Sequence, residues 1–254
     1  MERPGRSEKS TQNTLMIQKH ANHTYTSSLL ATLGIRHGYS TRWFGDLRRD
    51  ENRDRFLTTA GMKRSDLVVG QQVHGIQVAL VKDADKGNIL SGLDGLVTTT
   101  TGIVLGVTFA DCVPILAVDP KARVVGTAHA GWKGTLVGTA CELILGMKKA
   151  GADVSTIYVS IGPHIGMCCY NVYEDRALEF RKKFGQNEKI STKILGEWHV
   201  DIGYANYQLL LDSGITRDHI DAPVMCTSCQ VSEFNSFRKD PKDKFGVQLG
   251  IITL

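Results

Sequence analysis

Short apolar runs with partial alternation dominate much of the chain, and helical spacing takes over only in separate blocks. "DLVVGQQVHG" (Asp66 to Gly75), "IQVALV" (Ile76 to Val81), "DGLVTT" (Asp94 to Thr99) and "GIVLGVTFA" (Gly102 to Ala110) each read as a strand. "CVPILAVD" (Cys112 to Asp119) and "RVVGTAHA" (Arg123 to Ala130) read as two more, joined by the turn signal Asp119-Pro120-Lys121. "HGYSTR" (His37 to Arg42) closes a short β-like segment, "IYVSIGP" (Ile157 to Pro163) reads as a buried strand, and "FGVQLGIITL" as the last one. The clearest helix is Gly134 to Lys149, apolar at Leu136, Val137, Ala140, Leu143, Ile144 and Met147. Further helices are expected at "DENRDRFLTTAG" (Asp50 to Gly61), "EDRALEFRKKFG" (Glu174 to Gly185) and "IGYANYQLLLDSG" (Ile202 to Gly214), each closed by a glycine.

Strand-rich blocks punctuated irregularly by helices favour an α+β fold with mixed sheets over a regular βαβ repeat. No internal repeat or low-complexity linker divides the 254 residues, a length that suits a substantial core. We therefore expect a polar N-terminal tail over residues 1–24 and a single domain over residues 25–254.

Composition narrows the function classes. Hydrophobic residues make up 42% and charged residues 22%, an ordinary globular balance. The net charge of +4 is mild and its basic residues are scattered, which argues against nucleic acid as a partner. The sign-alternating "DLRRDENRDR" (Asp46 to Arg55) reads as a solvated helical face. No run approaches the ~18 apolar residues of a membrane span. The first residues lack the apolar stretch of a secretory signal, so the expected location is the cytoplasm, with the six cysteines reduced. Their spacing is not that of a small disulfide scaffold.

One stretch stands out chemically. In "VVGTAHAGWKGT" (Val124 to Thr135) a histidine sits among residues with almost no side chain, followed by Trp132 and Lys133. His129 is either a hydrogen-bonded core histidine or a ligand. Centring the hairpin between Pro120 and Lys121 sets Cys112 directly opposite His129, with Cβ atoms roughly 5 Å apart. That separation suits two ligands of one metal. His74 in "QQVHG" follows an apolar strand much as His129 does. Two His and one Cys make a three-ligand site with an open fourth position, the arrangement of catalytic zinc, which lowers the pKa of bound water. Asp111, beside Cys112, is either a turn aspartate or a group that orients a ligand or accepts a proton. "CTSC" (Cys226 to Cys229) resembles a redox or zinc CxxC but lacks a second CxxC and a thioredoxin-like context, and "CCY" (Cys168 to Tyr170) reads as packing. His164 in "IGPHIG" reads as a turn residue, and no GxGxxG, P-loop or GxSxG occurs.

At these residues the chain resembles the YfiH or laccase-domain family. The motifs carrying the resemblance are "GYSTR", "QQVHG", "ADCVPILAVD", "AHAGWKGT", "IGPHIGMCCYNV", "HVDI" and "FNSFRKD", in family order from Gly38 to the C-terminus. The resemblance implies a layered α/β/β/α sandwich and a zinc site of His74, Cys112 and His129. It implies action on purine nucleosides: phosphorolysis of adenosine, inosine and methylthioadenosine, and deamination of adenosine. Asp111 would serve as proton shuttle beside the three ligands. Arg42, Lys133 and Arg238 match family positions and would form a phosphate pocket, with Trp132 stacking on a base or buttressing the turn. The helix from Gly134 would aim its first amides at a bound anion.

Family assignments also include copper-dependent polyphenol oxidation, which asks for several coppers and many His where this chain has eight. Amide hydrolysis on a peptidoglycan precursor and non-catalytic metal binding are further alternatives. The expected partners are a nucleoside and phosphate, with the chain a monomer or homodimer. Three departures bear on substrate contacts: the loop after Arg42 is short, Asn171 replaces an acidic residue, and Val247 stands where an Arg is common.

Overall fold

The computed structural model describes residues 17–222 and 225–254. In chain order the elements are β1 (Ile17–Lys19), β2 (Tyr25–Ser27), α1 (Ser28–Thr32), β3 (Arg36–Tyr39), α2 (Asp50–Thr59), β4 (Leu67–Gln71), β5 (Val78–Leu80), β6 (Ile89–Ser91), β7 (Gly95–Thr98) and β8 (Val104–Phe109). There follow β9 (Val113–Asp119), β10 (Val124–Ala130), α3 (Trp132–Val137), α4 (Thr139–Lys149), β11 (Tyr158–Ile161), β12 (Asn171–Val172), α5 (Glu174–Phe184), β13 (Ser191–Ile194), β14 (Glu197–Val200), α6 (Ile202–Asp212), β15 (Ile220–Asp221) and β16 (Gln248–Thr253). Most of the expected tail, residues 1–16 of 1–24, lies outside the described residues. Its remainder contains β1, which pairs with β2.

Two mixed sheets carry the molecule. One has the order β1-β2-β3-β16-β8-β4-β6, the other β15-β11-β9-β10-β7-β5, and a small third sheet runs β12-β14-β13. Period-two alternation decides which layer each side chain enters. From β9, Leu116 and Val118 join Leu105, Val107 and Ile252 of the facing sheet, while Ile115 and Ala117 point the other way, towards Leu143 and Met147 of α4. Beyond the larger sheet, Val69, Val104 and Ile251 pack against Phe56 and Leu57 of α2. The layers are therefore α/β/β/α. The rest of α2 is polar, so it docks through these two fully buried side chains, each contributing roughly 1.5–3 kcal/mol. No helix among the described residues is long and apolar enough to cross a membrane.

Two local expectations need correction. The helix expected from Gly134 to Lys149 is two helices, α3 starting at Trp132 and α4 at Thr139. Gly138, at φ 95°, breaks it. The hairpin is offset by two residues from the symmetric centring: Asp119 pairs with Val124, and His129 faces Pro114 rather than Cys112. The Asp119 carboxylate accepts from the N–H groups of Lys121 (2.9 Å) and Ala122 (3.1 Å), and Arg123 takes φ 54°. Four residues therefore make the turn instead of two. An even offset leaves the alternation intact, so Cys112 and His129 still share a face, as diagonal neighbours.

The strand β3 carries a buried imidazole whose state is fixed by its neighbours. His37 Nδ1–H donates to the Ile35 carbonyl (2.8 Å), and Nε2 accepts from the Ser27 N–H (2.8 Å). Burial, the largest influence, pulls its pKa below the ordinary 6.5. The unfolded chain takes up this proton near pH ~6.5, whereas the folded chain resists it, so stability falls as pH drops below about 6.5. Wild type should lose more denaturant resistance between about pH 7.5 and 5.5 than His37→Asn does. Equal losses in the two proteins would show that His37 does not carry this dependence.

Candidate functional site

The even offset of the hairpin brings Cys112 and His129 to the same end of the inter-sheet layer. His74 reaches them from the turn after β4, where it adopts φ 59°. Its ring centroid lies 4.8 Å from that of His129. One ligand atom each from His74, Cys112 and His129 fall within 4.8 Å of one another.

A single carboxylate fixes this arrangement. Asp94, immediately before β7, accepts from three successive backbone N–H groups: Val73 (3.1 Å), His74 (3.0 Å) and Gly75 (2.7 Å). These contacts hold the left-handed turn that presents His74. The same carboxylate lies 2.9 Å from His129 Nδ1, and its backbone carbonyl accepts from the His129 N–H (2.7 Å). Nδ1–H therefore donates to Asp94, so Nε2 is the ring nitrogen that would reach a metal, the carboxylate-held arrangement of a metal-binding histidine. Burial opposes the charge on Asp94, but the His129 and backbone hydrogen bonds outweigh it and hold the carboxyl below its usual range.

Electrostatics favour the ligating form of sulfur. Burial would raise the Cys112 thiol, yet His129 and His74 beside it bring its pKa down to about 6. Near neutral pH it is largely thiolate, as metal coordination requires. Burial works against a proton on His129, and the neighbouring Cys112 and Asp94 more than compensate. Backbone space matters as well. A Cβ on Gly131 would lie 2.6 Å from His74 Nδ1 and 3.0 Å from Cys112 Sγ. The donor set and this relieved contact both fit a thiophilic divalent cation.

The three donors line a cavity of about 530 Å³. Its walls include Trp132, Tyr170, Arg176, Phe237 and Arg238. Of the expected substrate contacts, Trp132 and Arg238 reach this cavity; Arg42 and Lys133 are not among its lining residues. Arg42 is held by Asp240 (2.7 Å) and the Phe234 carbonyl (2.9 Å), so its guanidinium ties down the 234–240 loop. Lys133 is exposed, with Nζ 5.6 Å from the Trp132 ring centroid. The α3 helix, expected to begin at Gly134, begins two residues earlier at Trp132.

Asp111 lies at the cavity edge with φ 86°, a left-handed conformation for a non-glycine residue. Its Oδ1 accepts from Thr227 Oγ1 (2.6 Å), and its Oδ2 accepts from Ser236 Oγ (3.0 Å) and the Arg238 N–H (2.6 Å). Both oxygens are thus engaged, and through them the segment before β9 is joined to residues 227 and 236–238.

Asp94, Tyr170 and Arg176 are absent from the sequence-based candidates. Arg176 packs over Trp132, its guanidinium carbon 4.0 Å from the ring centroid, and Nη1 lies 3.5 Å from the Tyr170 hydroxyl. Its Nε is buried without a hydrogen-bond partner. In sequence it is one basic residue in a highly charged amphipathic helix, which carries no sign of a cavity. Asp94 reads as a turn residue before a glycine, because its partners lie 19 to 35 residues away.

Comparisons with known proteins show what the chain as a whole is similar to. Residues 46–254 match the family model described as multi-copper polyphenol oxidoreductase laccase. The chain is 37% identical over 209 residues to purine nucleoside phosphorylase YlmD of Geobacillus stearothermophilus, covering 77% of this chain and 76% of that protein. It is 34% identical over 188 residues to adenosine deaminase RL5 of an unknown prokaryotic organism, covering 70% and 72%. The crystal structure of YlmD from Geobacillus stearothermophilus superposes with a TM-score of 0.85 at 31% identity, over 94% of this chain and 98% of that one.

Proposed function

The chain belongs to the multi-copper polyphenol oxidoreductase laccase family, and from that premise we propose that it is a zinc enzyme of purine nucleosides, acting by phosphorolysis and deamination. The observation that carries this reading is the convergence of His74, Cys112 and His129 on a cavity large enough for a nucleoside and lined by two guanidiniums. Relatives named purine nucleoside phosphorylase and adenosine deaminase support it. His74, Cys112 and His129 would hold a zinc ion, which would supply Lewis acidity beside the cavity.

The protein's own groups divide the remaining work. Arg238, expected there from the start, and Arg176, in place of Arg42 and Lys133, bind phosphate. Phosphate attacks ribose C1′, the glycosidic bond breaks, and its electron pair goes to the purine, which takes up a proton. In deamination water attacks the purine ring at C6 and ammonia leaves. Tyr170 keeps its proton, because burial raises its pKa, and offers a hydroxyl at the cavity wall. Asp111, with both oxygens occupied, positions Arg238 and the Cys112 segment; we assign it this role in place of proton shuttle.

Metal-loaded protein should convert adenosine to adenine and ribose 1-phosphate with phosphate present, and to inosine and ammonia without it. No turnover of adenosine, inosine or methylthioadenosine by loaded protein would overturn the reading. Arg176→Met keeps bulk over Trp132 but removes the charge. It should raise the KM for phosphate about 10-fold or more and leave deamination nearly unchanged, since a charge-assisted hydrogen bond contributes roughly 1.5–3 kcal/mol. An unchanged KM would remove Arg176 from the phosphate site.

A further inference from the structure

A second cluster of soft ligands lies outside the His74–Cys112–His129 group. The turn at Met167–Cys169 and the turn at Thr227–Cys229 face each other across a parallel bridge between His164 and Cys226. They bring Cys168, Cys169, Cys226 and Cys229 together with all four sulfurs within 4.8 Å of one another. We propose that these four cysteines form a structural tetrathiolate site for a zinc-class divalent ion, separate from the three-ligand group.

Three observations carry this assignment. First, four sulfurs each about 2.3 Å from a tetrahedral centre lie about 3.8 Å apart, and here all four lie within 4.8 Å of one another, two of the pairs at 3.3 and 3.4 Å. Second, Cys229 Sγ lies 3.4 Å from Cys168 Sγ and 3.3 Å from Cys169 Sγ, so it has no unique disulfide partner. Third, Cys168 and Cys229 are exposed, which does not suit cysteines serving only as small core hydrophobes. The Gly166 N–H donates to Cys226 Sγ (3.3 Å) and holds that sulfur in place beside the first loop.

The location gives the site a task. Thr227, between two of the ligands, donates to Asp111, and the Cys169 carbonyl lies 3.5 Å from Arg238 Nη1. Ile165 and Tyr170, flanking the first cysteine pair, line the substrate cavity. A metal here clamps the loop between the cavity residues Ile165 and Tyr170 to the loop that carries Thr227, the partner of Asp111. Binding displaces the thiol protons, so loading weakens as pH falls.

The test is metal content by mass spectrometry of protein purified under reducing conditions from zinc-supplemented cells. A Cys112→Ala, His129→Ala variant should retain one zinc per chain, and adding Cys229→Ser, at an exposed position, should remove it. Cadmium loading of the double variant should give a thiolate-to-cadmium absorption band that Cys226→Ser and Cys229→Ser both abolish. A double variant without metal and with all four thiols alkylated by iodoacetamide would overturn the proposal. So would a disulfide among the four cysteines in the reduced protein, or zinc retained after both serine substitutions.

Discussion

Cys112→Ala is expected to strip the metal from the His74–Cys112–His129 site and to lower nucleoside turnover by at least ~100-fold while the fold persists. Losing an outer partner of a ligand commonly costs ~10–100-fold in metal affinity or activity, and losing the ligand itself removes more. Cys112 supplies the only thiolate of the set and the only negative charge placed directly among the donors. The two remaining imidazoles cannot close a three-coordinate site. The fold should survive because Cys112 precedes β9 rather than lying within its ladder, and truncation to alanine removes one partly buried atom. Circular dichroism and the denaturation midpoint check the fold, and equilibrium dialysis checks the metal. Work in a Cys229→Ser background keeps the cysteine cluster from contributing to the count. Zinc bound at unaltered affinity would eliminate Cys112 as a ligand.

How much of this site could be read along the chain depends on how far a pattern reaches. Alternation along β9 and β10 places Cys112 and His129 on one face whichever even offset the turn imposes, so the face was legible and the direct opposition was not. The offset is set by the Asp119 side chain capturing two amides, a detail of one turn. The layered fold follows from which strand faces are apolar, and those are local. Short elements such as β6, β12 and β15 owe their existence to partners far away in sequence, and no run of apolar residues announces them.

The same rule explains the misplaced arginines. Arg42 sits in a family motif, yet Asp240, 198 residues later, fixes its guanidinium outside the cavity. Arg176 lies among the charges of α5 and becomes visible only when that helix packs against Trp132. The cysteine cluster joins a "CC" and a "CxxC" whose sulfurs are 60 and 61 residues apart in the pairings at 3.3 and 3.4 Å, so the "CxxC" resembles half a zinc motif whose other half is not visible in sequence. Contacts that define the site's second layer are long-range and polar, and polar contacts leave no periodic trace in a sequence.

Asp94→Asn should be nearly as damaging as loss of a ligand, at about 10–100-fold in metal affinity, although Asp94 touches no metal. The argument is one of donors and acceptors. In the wild type Oδ1 faces His129 Nδ1 and the His74 N–H, and Oδ2 faces the N–H groups of Val73 and Gly75. All four partners are donors, and an amide has one accepting oxygen and one donating nitrogen. If the Asn nitrogen faces Val73 and Gly75, the turn that presents His74 loses its anchor. If it faces His129, the ring must offer a lone pair at Nδ1 and place its proton on Nε2, the ligating nitrogen. Either choice removes a ligand orientation, and each also removes the negative charge opposite His129. Asp94→Glu keeps the charge but moves it by a methylene, so it should restore part of the affinity. Zinc affinity measured by chelator competition would follow the order wild type, Glu, Asn. Equal affinities across the three would show that Asp94 organises the turn without governing the metal.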